Sequence, residues 1–161
     1  MRIMKKNVLF KGISMMMVFA SLFLFVNCEG ENALPETDPV VELLESGEMK
    51  GVLKENYTLD AGTSYRLTGQ FIVDGGATLT IPAGTQIIAN ASQGQATETY
   101  IAVMMGSKIN VNGTSGAPVV MTSPNAQPQD WGGLTICGEA TTTAGVNATA
   151  EVGNFKYGGS K

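Results

Sequence analysis

The chain has 161 residues, about the size of one domain, of which 43% are hydrophobic, 15% are charged and none is histidine. Without histidine, the chain can build neither a Ser-His-Asp or Cys-His nucleophile nor a His-ligated zinc site. Residues 1–27 carry a charge of +4, and residues 28–161 carry −8. A body this acidic repels the phosphate backbone, so nucleic acid is not expected as a partner.

The amino-terminal segment has the pattern of an export signal. It carries four basic residues and no acidic one, and it contains an apolar run from Ile13 to Val26. Because a membrane-spanning helix needs about 20 residues, this shorter run fits the apolar region of a signal peptide. Cys28 follows at once, which resembles a bacterial lipoprotein signal, although Asn27 replaces the usual small residue. The resemblance implies a signal peptide over residues 1–27 and acylation of Cys28, for example by palmitate. An ordinary secretory signal and an uncleaved anchor are the alternatives.

Residues 28–50 are predicted to form an acidic tether between the lipid and the body. The segment contains five glutamates between Glu29 and Glu45, two prolines and one short apolar patch. Its first part has the composition of a flexible linker. Residues 40–46 are long enough for one or two helical turns.

From Tyr57 onward the chain is predicted to be β structure that repeats. Residues 73–81 align without gaps on residues 103–111, and each copy is followed by a Gly-Thr turn and another short apolar strand. A looser third copy starts at Trp131. The constant offset between the copies predicts a solenoid in which equivalent strands stack. The inward pairs expected from this register are Val73 with Val103, Leu79 with Ile109, and Ile81 with Val111. Sharp turns are expected at Gly76 and Gly106, and an outward polar ladder at Thr80 and Asn110.

Three segments carry a resemblance to a known family. They are GATLTIPAGTQI (residues 76–87), GSKINVNGTSGAPVVMTSP (106–124) and DWGGLTICGEA (130–140). Together they resemble the right-handed parallel β-helix region of Bacteroidetes-type surface lipoproteins, of the pectin-lyase-like kind, over residues 51–161. The resemblance implies an all-β parallel β-helix solenoid and specifies no reaction. The alternative fold is an antiparallel β-sandwich, which leaves the gap-free repeat unexplained.

The resemblance also implies that the β-helix is incomplete at the carboxyl-terminal end. Related coils usually continue past a Tyr-Gly-Gly segment, and here residues 157–159 have that sequence. The last strand, near Asn154 to Tyr157, is therefore expected to lack a covering element.

No residue of the body is assigned a catalytic, cofactor-binding or metal-binding role. β-Helix lyases and hydrolases need clustered carboxylates, Lys or Arg on one outer face. The predicted register instead stacks Asp74 on Met104 and Lys108 on Thr78.

Several other residues have a structural and a functional interpretation, and the structural one is favoured. Cys137 lacks a disulfide partner if Cys28 is acylated, and is expected to be a small buried hydrophobe. Trp131 is expected to be a packing aromatic rather than a sugar platform. The asparagines of Asn-x-Ser/Thr sequences are expected in turns: Asn56, Asn90, Asn112 and Asn147. The polar segments 90–99 and 140–150 are expected to be loops that form any contact surface.

Two functions remain open. The first is a non-enzymatic cell-surface lipoprotein, held in the outer membrane through Cys28, whose β-helix is a scaffold for adhesion or for contact with a glycan or a surface protein. The alternative is the amino-terminal part of a β-helix carbohydrate-active enzyme, either a polysaccharide lyase or a glycoside hydrolase. No cofactor is expected for the first.

Replacing the predicted lipid attachment site tests the localisation. The Cys28→Ala variant should leave the membrane fraction and lose incorporation of labelled palmitate, because two or three acyl chains anchor a protein stably. Cell fractionation after fatty-acid labelling measures both effects, and Cys137→Ala is the matched control that should retain both. A wild-type protein that takes up no fatty acid and is recovered in the soluble fraction would contradict the prediction.

Overall fold

The computed structural model describes residues 38–91 and 96–159. The predicted signal peptide, Cys28 and the first ten residues of the predicted tether lie outside the described residues. Among the described helices, none is both long and apolar enough to cross a membrane. The described elements are α1 (Pro39–Glu45), β1 (Glu48–Leu53), β2 (Tyr57–Thr58), β3 (Ser64–Val73), β4 (Thr78–Ile81), β5 (Gln86–Ala89), a 3₁₀ turn (Ala96–Glu98), β6 (Tyr100–Val103), β7 (Lys108–Val111), β8 (Val120–Thr122), β9 (Leu134–Ile136), β10 (Ala148–Thr149) and β11 (Lys156–Tyr157).

Parallel pairing between strands of successive repeats builds the body. One sheet has the order β8-β5-β3-β6-β9, with β1 also paired to β3, and a second has the order β2-β4-β7. The ten-residue strand β3 is the junction, because its first four residues pair with β5 and its last four pair with β6. Apart from α1, the body is all-β, and its parallel strands curl in a half-barrel.

The predicted register is confirmed at each of its three pairs. Val73 pairs with Val103, Leu79 with Ile109, and Ile81 with Val111, all at the offset that the repeat predicts. The third copy of the repeat stacks on the second, because its strand β9 pairs in parallel with β6. Antiparallel pairing is confined, in the described residues, to β10 and β11, so the β-sandwich alternative is wrong.

Burial follows this register except on the outermost strand β7. Val73, Leu79, Ile81 and Val103 are buried, as predicted. Their partners on β7 differ: Ile109 is half-buried and Val111 is 46% exposed. The prediction that all six residues are buried is wrong for these two, because β7 has a strand beside it on one side alone among the described residues.

The predicted turns and the polar ladder are confirmed. Gly76 and Gly106 have φ of +84° and +85°, a conformation that side chains with a Cβ disfavour. On β2, β4 and β7, Thr58 pairs with Thr80 and Thr80 with Asn110, which forms an outward polar row.

A short helix closes the core at the β1 end. The Asp38 carboxylate caps α1 by accepting a hydrogen bond from the Val40 amide at 2.9 Å, which confirms the predicted helical turns. Val40 and Leu44 join the main core. The helix approaches β1 so closely that a Cβ at Gly51, where φ is +103°, would lie 2.8 Å from Val40 Cγ2. Residues 39–50 are therefore part of the fold, which corrects their assignment to the tether.

The prediction of an uncovered strand near residues 154–157 is wrong. Positive φ at Gly153 and Asn154 reverses the chain, so β11 pairs with β10 as an antiparallel hairpin. Phe155 packs edge-to-face on Tyr100, with ring centroids 5.9 Å apart. Among the described residues, the exposed large apolar side chains lie instead on β7, β8 and β9, apart from Val146 in the loop before β10.

Because Leu79 is buried and Val111 is half-exposed, replacing each of them with alanine should lower the free energy of unfolding by a different amount. Leu79→Ala should lower the free energy of unfolding by about 3 kcal/mol, because it leaves a cavity between three strands. Val111→Ala removes a half-exposed side chain and should cost less than about 1 kcal/mol. Urea denaturation of both variants measures the two values, and equal costs would contradict the packing described above.

Candidate functional site

A polar groove of about 370 Å³ lies on the outer side of β1 and β3. It is the candidate functional site because hydrogen-bonding groups from three segments of the chain converge there. β1 contributes Lys50 and Gly51, β3 contributes residues 68–70, and the segment before β6 contributes Glu98 and Thr99.

A change of register between β1 and β3 creates the groove. Met49 pairs with Leu67, but the next pair joins Gly51 to Phe71, so Lys50 faces three residues of β3. Extra residues of this kind bend a strand and redirect its side chains. The bend falls where β3 exchanges its pairing with β5 for pairing with β6. The groove is thus a consequence of the corner that the parallel fold requires.

The residue at this corner is Gly69, which has no side chain to fill the groove. At Gly69, a Cβ would lie 3.4 Å from Cε of Lys50 and 3.6 Å from its Cγ and Cδ, so the lysine stem runs over the glycine. The Thr68 hydroxyl donates a hydrogen bond to the Glu48 carboxylate at 2.6 Å, which holds the two strands together beside the bend.

The groove offers both hydrogen-bond donors and acceptors to a ligand. Lys50, Gln70 and Glu98 are exposed at its rim, and Thr99 is buried. An ammonium group donates, a carboxylate accepts and an amide does both. This mixture suits the hydroxyl groups of a neutral sugar, each of which also donates and accepts.

Two further charged residues, Lys108 and Asp130, lie outside the groove. Lys108 pairs with Thr78, as the register predicts. Asp130 braces a loop, where its Oδ2 accepts hydrogen bonds from the Ser123 hydroxyl at 2.6 Å and from the Gln127 amide at 3.1 Å. Across residues 38–91 and 96–159, no group of three or more His, Cys, Asp or Glu side chains is placed to hold a metal ion.

The structural interpretation of Trp131 is supported, because it is half-buried and packs against the core. The prediction of turn asparagines is confirmed for Asn147, which has φ of +57° in a turn. Asn56, Asn90 and Asn112 lie in connecting segments outside turns, and Asn56 accepts a hydrogen bond from the Thr78 amide at 2.8 Å. From the predicted loop 90–99, Glu98 and Thr99 line the groove. The predicted loop 140–150 includes strand β10.

Sequence reasoning missed Lys50, Thr68 and Gln70. Lys50 lies in the segment that was predicted to be a tether, and the other two lie inside a strand. One signal was present, because a glycine within a strand, such as Gly69, often marks a bulge. The register change itself depends on the partners of β3 and could not be obtained from its own residues.

Cys137 is a buried thiol, as predicted. It is 3% exposed and free of disulfide bonding, and burial raises the pKa of its thiol. Since the thiolate is the reactive form, both the burial and the raised pKa suppress nucleophilic chemistry at this position.

The comparisons with known proteins identify one family. The family model described as a pectate-lyase like beta helix domain matches residues 51–161, which is more than half of the chain. Neither the curated proteins nor the solved structures yielded a match.

The burial of Cys137 predicts slow alkylation. In the native protein, iodoacetamide should label Cys137 at least tenfold more slowly than it does in urea, with peptide mass spectrometry reading this position alone. The raised pKa means that the folded state favours the protonated thiol. The stability that this preference contributes should be complete below pH 9.0, the ordinary pKa of the thiol, and should decline as the pH rises above it. Equal labelling rates in the native and the unfolded protein would show that the thiol is accessible.

Proposed function

Because the chain belongs to the pectate-lyase-like β-helix domain family, we propose that it is a cell-surface lipoprotein whose non-enzymatic β-helix makes contact with glycans. The fold proposed for it is a right-handed parallel solenoid. The parallel stacking of equivalent strands from successive repeats supports the solenoid, and the sequence around Cys28 supports lipid anchoring in the outer membrane.

The observation that carries the glycan proposal is the polar groove at the β3 corner. Its exposed rim combines the ammonium of Lys50, the amide of Gln70 and the carboxylate of Glu98. The one positive and one negative charge of this rim balance each other, so a neutral polysaccharide can bind there without leaving a net charge in the contact. A polyuronate would meet one cation and one anion there, on a body (residues 28–161) whose net charge is −8.

A carbohydrate-active enzyme is the second candidate, and two observations favour it. The family is described by its likeness to pectate lyase. The groove also places a possible proton donor, Lys50, and a possible proton acceptor, Glu98, around one space. Both enzymes would create a new reducing end, and a lyase would also leave an unsaturated sugar at the new non-reducing end, where a hydrolase adds water and leaves a saturated one. A scaffold would cleave no bond.

Binding by groove variants and matched controls tests the proposal. Wild-type protein is applied to an array of neutral and uronic-acid polysaccharides, and the polysaccharide retained most strongly is titrated. Lys50→Ala and Gln70→Ala should each weaken binding about tenfold, because each removes a hydrogen-bonding group worth about 1.4 kcal/mol. The controls Lys54→Ala and Gln86→Ala change exposed residues of the same types outside the groove. They should change the affinity less than twofold.

Three outcomes would overturn the glycan-scaffold proposal. They are retention of no polysaccharide, equal effects of groove and control variants, and cleavage of the retained polysaccharide. The last outcome would establish the enzyme instead.

A further inference from the structure

The hydroxyl of Thr68, a residue that lines the groove, has its proton committed inside the protein. It donates a hydrogen bond of 2.6 Å to Oε1 of Glu48. That length is typical of a hydroxyl that donates to an ionised carboxylate, for which roughly 2.5–2.7 Å is expected. A threonine hydroxyl has a single proton, and an ionised carboxylate can only accept. Towards the groove, the Thr68 hydroxyl is therefore an acceptor alone.

The last regular pair between β1 and β3 holds these two residues together. Met49 pairs with Leu67, and the register changes directly after that pair. Glu48 precedes the pair on β1 and Thr68 follows it on β3, so their hydrogen bond crosses the ladder beside the register change. Both residues are half-buried, which limits competition from water. Because Glu48 is not among the residues that line the groove, it can act on a ligand there through Thr68.

Three other side chains of the groove place weaker demands on a ligand. The Gln70 amide both donates and accepts, and the Lys50 ammonium can donate to any sugar oxygen. Glu98 also accepts alone when ionised, but it is exposed at the rim, where water can supply a missing donor. At the half-buried Thr68 hydroxyl the ligand must supply the donor itself. A free sugar hydroxyl does so, whereas an O-methyl or O-acetyl group has no proton to donate.

We propose that Thr68 is a specificity-determining residue that recognises a free hydroxyl of the glycan, and that Glu48 is the positioning residue that makes Thr68 an acceptor. The groove then selects unsubstituted sugars over O-methylated or O-acetylated ones, because an unmatched polar group at a half-buried position costs binding free energy. This inference rests on the proposed binding of glycans at the groove, and it adds which form of the sugar is bound.

Titration with paired glycans tests the inference. The probes are the neutral polysaccharides dextran, galactomannan and xyloglucan, each used unmodified and after partial O-methylation, and the protein is the full chain in detergent micelles. Wild type should bind the unmodified form of a retained probe about tenfold more tightly than the methylated form, which is the effect of one lost hydrogen bond. Thr68→Val removes the hydroxyl at nearly equal size. It should bind the unmodified form less tightly and reduce the preference to less than about threefold.

A change at Glu48 separates the hydrogen-bonding role of Thr68 from its shape. In Glu48→Gln, the amide can donate to Thr68 as well as accept from it, so the hydroxyl is no longer an acceptor alone and the preference should fall. Thr68→Ser keeps the hydroxyl and should keep the preference, whatever its effect on affinity. The controls Thr58→Val and Glu55→Gln change exposed residues of the same types outside the groove, and they should leave both affinity and preference unchanged.

The outcomes distinguish this inference from the proposed function. A wild-type protein that binds none of the probes would overturn both. Binding that Lys50→Ala weakens, together with a preference that neither Thr68→Val nor Glu48→Gln reduces, would overturn the inference and leave the glycan scaffold standing. Equal affinity of wild type for the unmodified and methylated forms would do the same. Should Thr68→Val lose the wild-type circular dichroism spectrum, Glu48→Gln and Thr68→Ser decide by the same criterion.

Discussion

The structure depends on one requirement, which is that each inward apolar side chain of a parallel ladder be covered on both sides along the stack. Leu79 meets it, because β2 and β7 lie on either side of β4, and it is completely buried. A single repeat cannot meet the requirement alone, which is why the repeats stack. At the β1 end, α1 packs on the core in place of a further strand. Among the described residues, β7 and β9 each have a neighbouring strand on one side alone, and Val111, Leu134 and Ile136 are exposed for that reason.

The same stacking produces the candidate site. Because β3 pairs with β5 over its first residues and with β6 over its last, it must bend between them, and the bend falls at residues 68–70. Those residues face Lys50 across the register change and form the groove with Glu98. The groove therefore arises because one strand, β3, pairs with β5 in its first part and with β6 in its last part. The polar groove at this corner leaves the stacked apolar pairs of the core intact.

The stacking register was predictable from the sequence, whereas exposure and the groove were not. Val73 to Ile81 and Val103 to Val111 share an inward alternation at a constant offset, and pairing follows from that pattern alone. The exposure of Val111 depends on the absence of a covering strand beside β7 in the described part of the chain, which its own residues do not encode. Lys50 and Gln70 meet through a bend set by the partners of β3. The β10–β11 hairpin had a local signal, the Gly153-Asn154 dipeptide, that also favours a chain reversal.

Equivalent strands of successive repeats are direct parallel neighbours. Nuclear Overhauser effects in methyl- and amide-labelled protein can detect this pairing in solution. Parallel neighbours should show methyl contacts between Val73 and Val103 and between Leu79 and Ile109, together with cross-strand contacts from the amide of Asn110 to β4. Strong contacts between α-protons of facing residues on β4 and β7, which mark antiparallel pairing, or the lack of any methyl contact between Val73 and Val103, would contradict it.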